Sequence, residues 1–246
     1  LKTVPNQLIE LLPQPYRDQL LARCELVPLL LGTALCERDA VMRHVYFPST
    51  GFLSLVAQID GHPGLEIGMV GREGMVGASL ALGVSGVPLR VLVQGSGTAW
   101  RMAAGSFKRE LARSAALHRF VDRYLYVMLS QIAASAGCLR FHLIPARLAR
   151  WLLMSQDRAQ ADHFHITHEL LATMLGVRRV GITVAATALQ RQGLIRYHRG
   201  ELTVLDRTGL EAVSCSCYAA ARLSYAQQFP DEAASASRGK ALAESA

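Results

Sequence analysis

Long apolar runs are missing from this sequence. The longest, Leu26 to Cys36, is too short to span a bilayer and is interrupted by Pro28 and Gly32, so no membrane partner is expected. Paired cysteines are missing too. Five cysteines, at positions 24, 36, 138, 215 and 217, give an odd count and no disulfide framework. With no signal-peptide pattern, although the first residue is Leu1 rather than Met, a reducing cytoplasmic setting is expected. There is no G-x-S-x-G, no Walker motif and no H-E-x-x-H, so no enzyme and no catalytic residues are expected. Acidic residues are few: 19 against 26 Lys and Arg, for a net charge of +7 and a pI near 9.5. That balance suits a polyanionic partner, though charge alone does not separate nucleic acid from an acidic membrane surface. At 51% hydrophobic and 18% charged over 246 residues, the chain builds a sizeable core, enough for one large domain or two ordinary ones.

The most informative stretch runs from Ile166 to Val204. Thr167 is a good N-cap, and Leu170, Leu171, Met174 and Leu175 fall on one face of a short helix. Gly176 comes next, where a chain leaving a helix needs a left-handed residue. A second helix is expected from about Arg178 to Gln192. Ile182, Ala185, Ala186 and Leu189 form its buried stripe, and Gly193 ends it. Two strands, Leu194–Tyr197 and Glu201–Leu205, are joined around Arg199–Gly200. This is the outline of a winged helix-turn-helix, whose second helix enters a DNA major groove. The bases between Thr167 and Leu202 are Arg178, Arg179, Arg191, Arg196 and Arg199, against only Glu169 and Glu201. Double-stranded DNA is therefore the expected partner. Arg178, Arg179 and Thr183 are expected to read base edges, and Thr167, His168, Arg196, His198 and Arg199 to contact phosphate.

The fold class expected is α+β. Residues 6–24 read as a helical lead-in that packs on the adjoining domain, interrupted by Pro13 and Pro15. From Glu25 to Met102, short alternating apolar runs punctuated by glycine predict a β-barrel or roll. A short helix is expected near residues 103–112. A long one comes after it, with Leu117, Val121, Leu125, Met128, Ile132 and Ser135 at steps averaging near 3.6. That stripe is expected to be a homodimer interface, because helix-turn-helix proteins usually read paired half-sites. Gly137–Cys138 is expected to break or bend the helix as a hinge. Another helix, Pro145–Ser155, buttresses the helix-turn-helix, and residues 206–225 read as helical. The expected division is a sensor roll with its lead-in at 1–112, a dimerisation helix at 113–138, a winged domain at 139–225 and a disordered tail at 226–246.

This order of parts resembles the Crp/Fnr family of bacterial transcription regulators, over about Glu25 to Tyr225. LLATMLGVRRVGITVAATALQRQGLI is similar to the family's helix-turn-helix signature, and HVYFPSTGFLSL and VGREGMVG are similar to its β-roll turns. The resemblance implies a cyclic-nucleotide-binding-like jelly roll, a homodimer on a two-fold symmetric DNA site, a signal read by the roll, and contact with RNA polymerase. Departures are also visible. The family's recognition helix opens on a Ser-Arg-Glu-Thr-like run, with a further Arg a few positions on. Here Arg178-Arg179-Val180-Gly181 stands in that place, with Val184 near the later position. Val180 cannot accept a hydrogen bond from cytosine as the family's Glu does. Where cyclic AMP binders carry Gly-Glu and Arg-Ser pairs, this chain has Gly77-Ala78 and Leu89-Arg90. Cyclic AMP is therefore not expected, and the effector is an unknown small molecule. Arg72, Glu73 and Arg90 are the candidate effector-pocket residues. Cys24 and Cys36 lack the spacing of an iron–sulfur site.

Two further clusters carry less. Asp162, His163, His165 and His168 in DHFHITH lack ligand spacing, and His168 better suits a phosphate. Cys215-Ser216-Cys217 on one helix would splay its thiols by about 100° per residue, so structural cysteines and no metal are expected. The reading from a different class is a ligand-sensing roll whose winged domain meets other proteins. A metal enzyme on a cupin-like barrel would need a histidine cluster on the strands, and His44 and His62 are too few.

Overall fold

The computed structural model describes residues 6–230. The lead-in forms two short helices, α1 (Gln7–Glu10) and α2 (Gln14–Leu21). Asn6 anchors it. Its Oδ1 accepts from the Ile9 amide at 3.1 Å, while its Nδ2 donates to the carbonyls of Pro48 and Gly74 at 2.9 and 2.8 Å. A fully buried amide is stable only when satisfied in this way. Leu8, Ile9, Leu12 and Leu20 then bury against the roll.

The roll comprises β1 (Glu25–Leu29), β2 (Ala34–Cys36), β3 (His44–Ala57), β4 (Leu65–Val70) and β5 (Arg90–Ala103). All pair antiparallel, in the order β1-β5-β3-β4, with β2 also on β5. The long strands β3 and β5 run in register from His44 opposite Ala103 to Val56 opposite Arg90, slipping between Pro48 and Leu53. Such irregularities bend a strand and raise its twist, which curls the sheet. Gly51 sits at this corner with φ +71°, and a Cβ there would lie 2.4 Å from the Gly95 carbonyl oxygen. Only glycine fits.

Helices α3 (Ala104–Arg113) and α4 (Ala115–Phe141) come next. The Ser114 Oγ caps α4 by accepting from the Leu117 amide at 3.1 Å. Gly137–Cys138 does not break the helix, which runs on to Phe141. A helical glycine costs only about 1 kcal/mol, and the buried Cys138 holds the next turn in place.

Leu117, Val121, Tyr124 and Val127 of α4 bury within the core of the roll. Two residues of the expected dimer stripe are taken up in this way. Leu117 and Val121 are spent inside their own subunit, and Leu125, Met128 and Ile132 are half-buried along the border. The outward face carries Tyr126 and Leu129, 56% and 65% exposed. Period alone says that a face is apolar, not what it meets.

The C-terminal part comprises α5 (Ile144–Ala159), β6 (His163–His165), α6 (His168–Leu175), α7 (Arg179–Arg191), β7 (Ile195–His198), β8 (Glu201–Val204), α8 (Arg207–Val213) and α9 (Cys217–Gln228). Its core includes Leu148, Leu152, Leu171, Ile182, Leu189 and Leu202, and it also takes in Phe52, Val56 and Met69 from the roll. The two parts therefore share one continuous apolar contact. The expected tail start at 226 is too early. Helix α9 reaches Gln228, and Phe229 buries with its ring 5.1 Å from that of Phe120. Of the expected tail, residues 231–246 lie outside those described. No single helix among the described residues is long and apolar enough to cross a membrane.

Candidate nucleic-acid interface

Helices α6 and α7 form from local signals. Thr167 Oγ1 accepts from the Leu170 amide at 3.1 Å, and Gly176 ends α6 in the left-handed region at φ +63°. The chain axis turns by 107° between the two helices, within the range of a helix-turn-helix. Buried Arg147 of α5 donates to the carbonyl oxygen of Leu175, closing the exposed end of α6.

Ile182, Ala185, Ala186 and Leu189 of α7 are buried. Arg179, Val180, Thr183 and Val184 consequently face solvent, with Arg178 at the N-cap. Behind α7, β7 and β8 form the expected hairpin. Arg199 and Gly200 turn it with φ +50° and +87°, the two left-handed residues of a tight hairpin turn. Arg196, His198 and Arg199 are exposed on this wing. None of Arg178, Arg179, Arg191, Arg196 and Arg199 joins an ion pair among the described residues.

Two expected contacts change role. The His168 ring stacks on Tyr197 at 4.5 Å and 8°, with its Nε2 buried. Burial, and secondarily the charge of Arg179, lower its pKa, favouring a neutral ring. It is thus a positioning group rather than a cationic phosphate contact: its Nδ1 lies 3.1 Å from Thr183 Oγ1. Thr183 also donates to the Arg179 carbonyl at 3.2 Å, so its hydroxyl is engaged within the protein. Tyr197 completes the link by donating from its hydroxyl to the Ile166 carbonyl at 2.7 Å.

A third wing strand was not foreseen. Residues 163–165 form β6, paired with β8, where the sequence suggested only a histidine cluster. His163 Nε2 and His165 Nδ1 lie 2.8 and 2.7 Å from the two oxygens of Glu201, clasping its carboxylate across the strands.

Of the candidate effector residues, Arg72 and Glu73 line a cavity of about 820 Å³ with Asp157, Arg158 and Tyr218. Glu73 is ion-paired to Arg158 at 2.8 Å. Arg90 does not join them. It pairs with Glu37 at 3.1 Å at the start of β5.

The C-x-C expectation is also corrected. Cys215 lies in the turn before α9 and Cys217 is that helix's first residue, so the thiols need not splay. They converge with Cys138 and His142, a meeting across more than 70 residues that no local pattern announces.

The architecture is a β-roll joined by one long helix to a three-stranded winged helix-turn-helix. Residues 146–213 match the profile of the Crp-like helix-turn-helix domain. No curated protein matches the chain in sequence. Among solved structures, it is similar to a transcriptional regulator assigned to the Crp/Fnr family from Eubacterium rectale. The two are 19% identical with a TM-score of 0.62, covering 82% of this chain and 94% of that one. The c-di-GMP-responsive global regulator CLP of Xanthomonas campestris is 16% identical with a TM-score of 0.64, covering 79% and 100%. A CRP-family transcriptional regulator from Thermus thermophilus is 18% identical with a TM-score of 0.62, covering 76% and 96%. Residues 146–213 therefore carry a Crp-like helix-turn-helix domain, and the chain as a whole has the fold of these solved regulators.

Proposed function

We propose that the chain is a homodimeric, sequence-specific DNA-binding transcription regulator whose roll receives a signal. The observation that carries this reading is the exposed face of α7. Arg179, Val180, Thr183 and Val184 point outward from a helix whose other face is buried, beside the ion-pair-free arginines of the wing. Arg179 suits guanine, bonding bidentately to its O6 and N7. Val180 and Val184, each 65% exposed, suit thymine methyl groups and offer nothing to a cytosine amine.

The dimer would use the outward face of α4 at Tyr126 and Leu129, placing two α7 helices about 34 Å apart on a symmetric site. An effector entering the cavity beside Arg72 and Glu73 would disturb the Glu73–Arg158 pair. That links the roll to α5 and thus to the helix-turn-helix. RNA polymerase contact belongs to the same reading.

Gel-shift titration against random and selected duplexes tests it. A binder making several phosphate contacts weakens steeply with salt, and a selected half-site should contain guanine flanked by thymine. The exposed valines also favour a second reading, a winged surface for a protein partner. Absence of any duplex binding at low salt would support that reading and remove the first.

A further inference from the structure

Cys138 and His142 occupy the last turn of α4 and its C-cap, four residues apart and so on one face. Cys215 and Cys217 approach from the turn before α9. The four ligand atoms all lie within 4.8 Å of one another. Cys138 Sγ and Cys215 Sγ are 3.6 Å apart, and Cys217 Sγ and His142 Nδ1 are 3.5 Å apart. Tetrahedral zinc, with bonds of about 2.3 Å to sulfur and about 2.0 Å to nitrogen, requires edges of about 3.8 and about 3.5 Å. Ligands this close converge on one ion rather than on the separate irons of a cluster.

We propose that Cys138, His142, Cys215 and Cys217 form a Cys3His site for a single thiophilic divalent cation, zinc by ligand type and spacing. Three thiolates and a neutral imidazole around Zn²⁺ leave one net negative charge, and the guanidiniums of Arg147 and Arg150 interact electrostatically with these thiols. Two of the four ligands are buried and two half-buried, as suits a closed structural site with no open coordination position. The ion would tie the end of α4 to the start of α9. His142 and Leu143 are also the link between α4 and α5. The site would therefore clamp the joint between the long helix and the winged domain, independently of whether that domain binds DNA.

The test uses the tag-free full chain, purified under reductant without chelator. Elemental analysis should find one zinc per chain. Cobalt loaded into the metal-stripped chain should give tetrahedral d–d bands and a thiolate charge-transfer band, both abolished by added zinc. His142→Ala and Cys217→Ser should lose stoichiometric metal, whereas the Cys24→Ser/Cys36→Ser double variant should keep it. Should the ligand deletions fail to fold, His142→Cys provides the check: it should retain cobalt with a strengthened charge-transfer band. Failure of the reduced wild-type chain to take up cobalt or zinc would overturn the proposal. Equal loss of metal in the Cys24/Cys36 variant would overturn it as well.

Discussion

Arg179 and Arg199 are both exposed arginines of the winged domain, yet they should fail differently when removed. Arg179 opens α7, the end that meets base edges. Arg179→Ala should weaken a selected site about 10- to 100-fold and relax preference at one base pair, with little effect on random duplex. Arg199, in the wing turn, would contact phosphate in the proposed complex. Arg199→Ala should weaken all duplexes alike and reduce the slope of log affinity against log salt by about 1. Gel-shift over a salt series separates the two. His168 shows why residue type alone misleads: its ring is already stacked on Tyr197 and tied to Thr183. Exposure and partners, which decide whether a histidine is a cation or a spacer, are absent from a one-dimensional string.

At the scale of elements, the joint between β4 and α5 carries a pH dependence. Glu66 accepts from the Trp151 indole at 2.9 Å and from the Ser54 hydroxyl, and burial raises its pKa from 4.5 to about 7. The folded chain therefore holds this proton more tightly than the unfolded one. Stability should fall as pH rises from about 4.5 to about 7, by on the order of 3 kcal/mol, and level off above. Glu66→Gln can accept from Trp151 through its amide oxygen and donate its amide to the Ser54 hydroxyl, both without a charge, so its urea midpoints should lose that slope between pH 5 and pH 7. A slope equal to the wild type's would place the titration elsewhere.

The helix-turn-helix was legible because its signals are local: Thr167 as cap, Gly176 at the turn, and a stripe of Ile182, Ala185, Ala186 and Leu189. Strand β6 was not legible. Three residues carry no usable period, and they are held in place only by pairing with β8.

For the whole molecule, the proposed dimer would use the outward face of α4. Leu117 is 6% exposed in the roll's own core, whereas Leu129 is 65% exposed. Leu129→Asp should shift the chain towards monomer in sedimentation and lower affinity for a symmetric site while leaving the melting temperature nearly unchanged. Leu117→Ala should instead cost about 2–5 kcal/mol of stability. Dimerisation lost through Leu117 but untouched by Leu129 would return the interface to the inner face.

The sequence by itself determined the order of parts, the bends of the recognition unit and the outward placement of Arg179, because caps, glycines and apolar periods act within a turn or two of the chain. Tertiary structure alone decided that the long helix spends Leu117 and Val121 inside its own subunit. It also separated Arg90 from Arg72 and Glu73, and gathered Cys138, His142, Cys215 and Cys217 to one point. Those outcomes depend on which surfaces meet once the chain has closed on itself, and a local pattern carries no record of a partner 70 residues away.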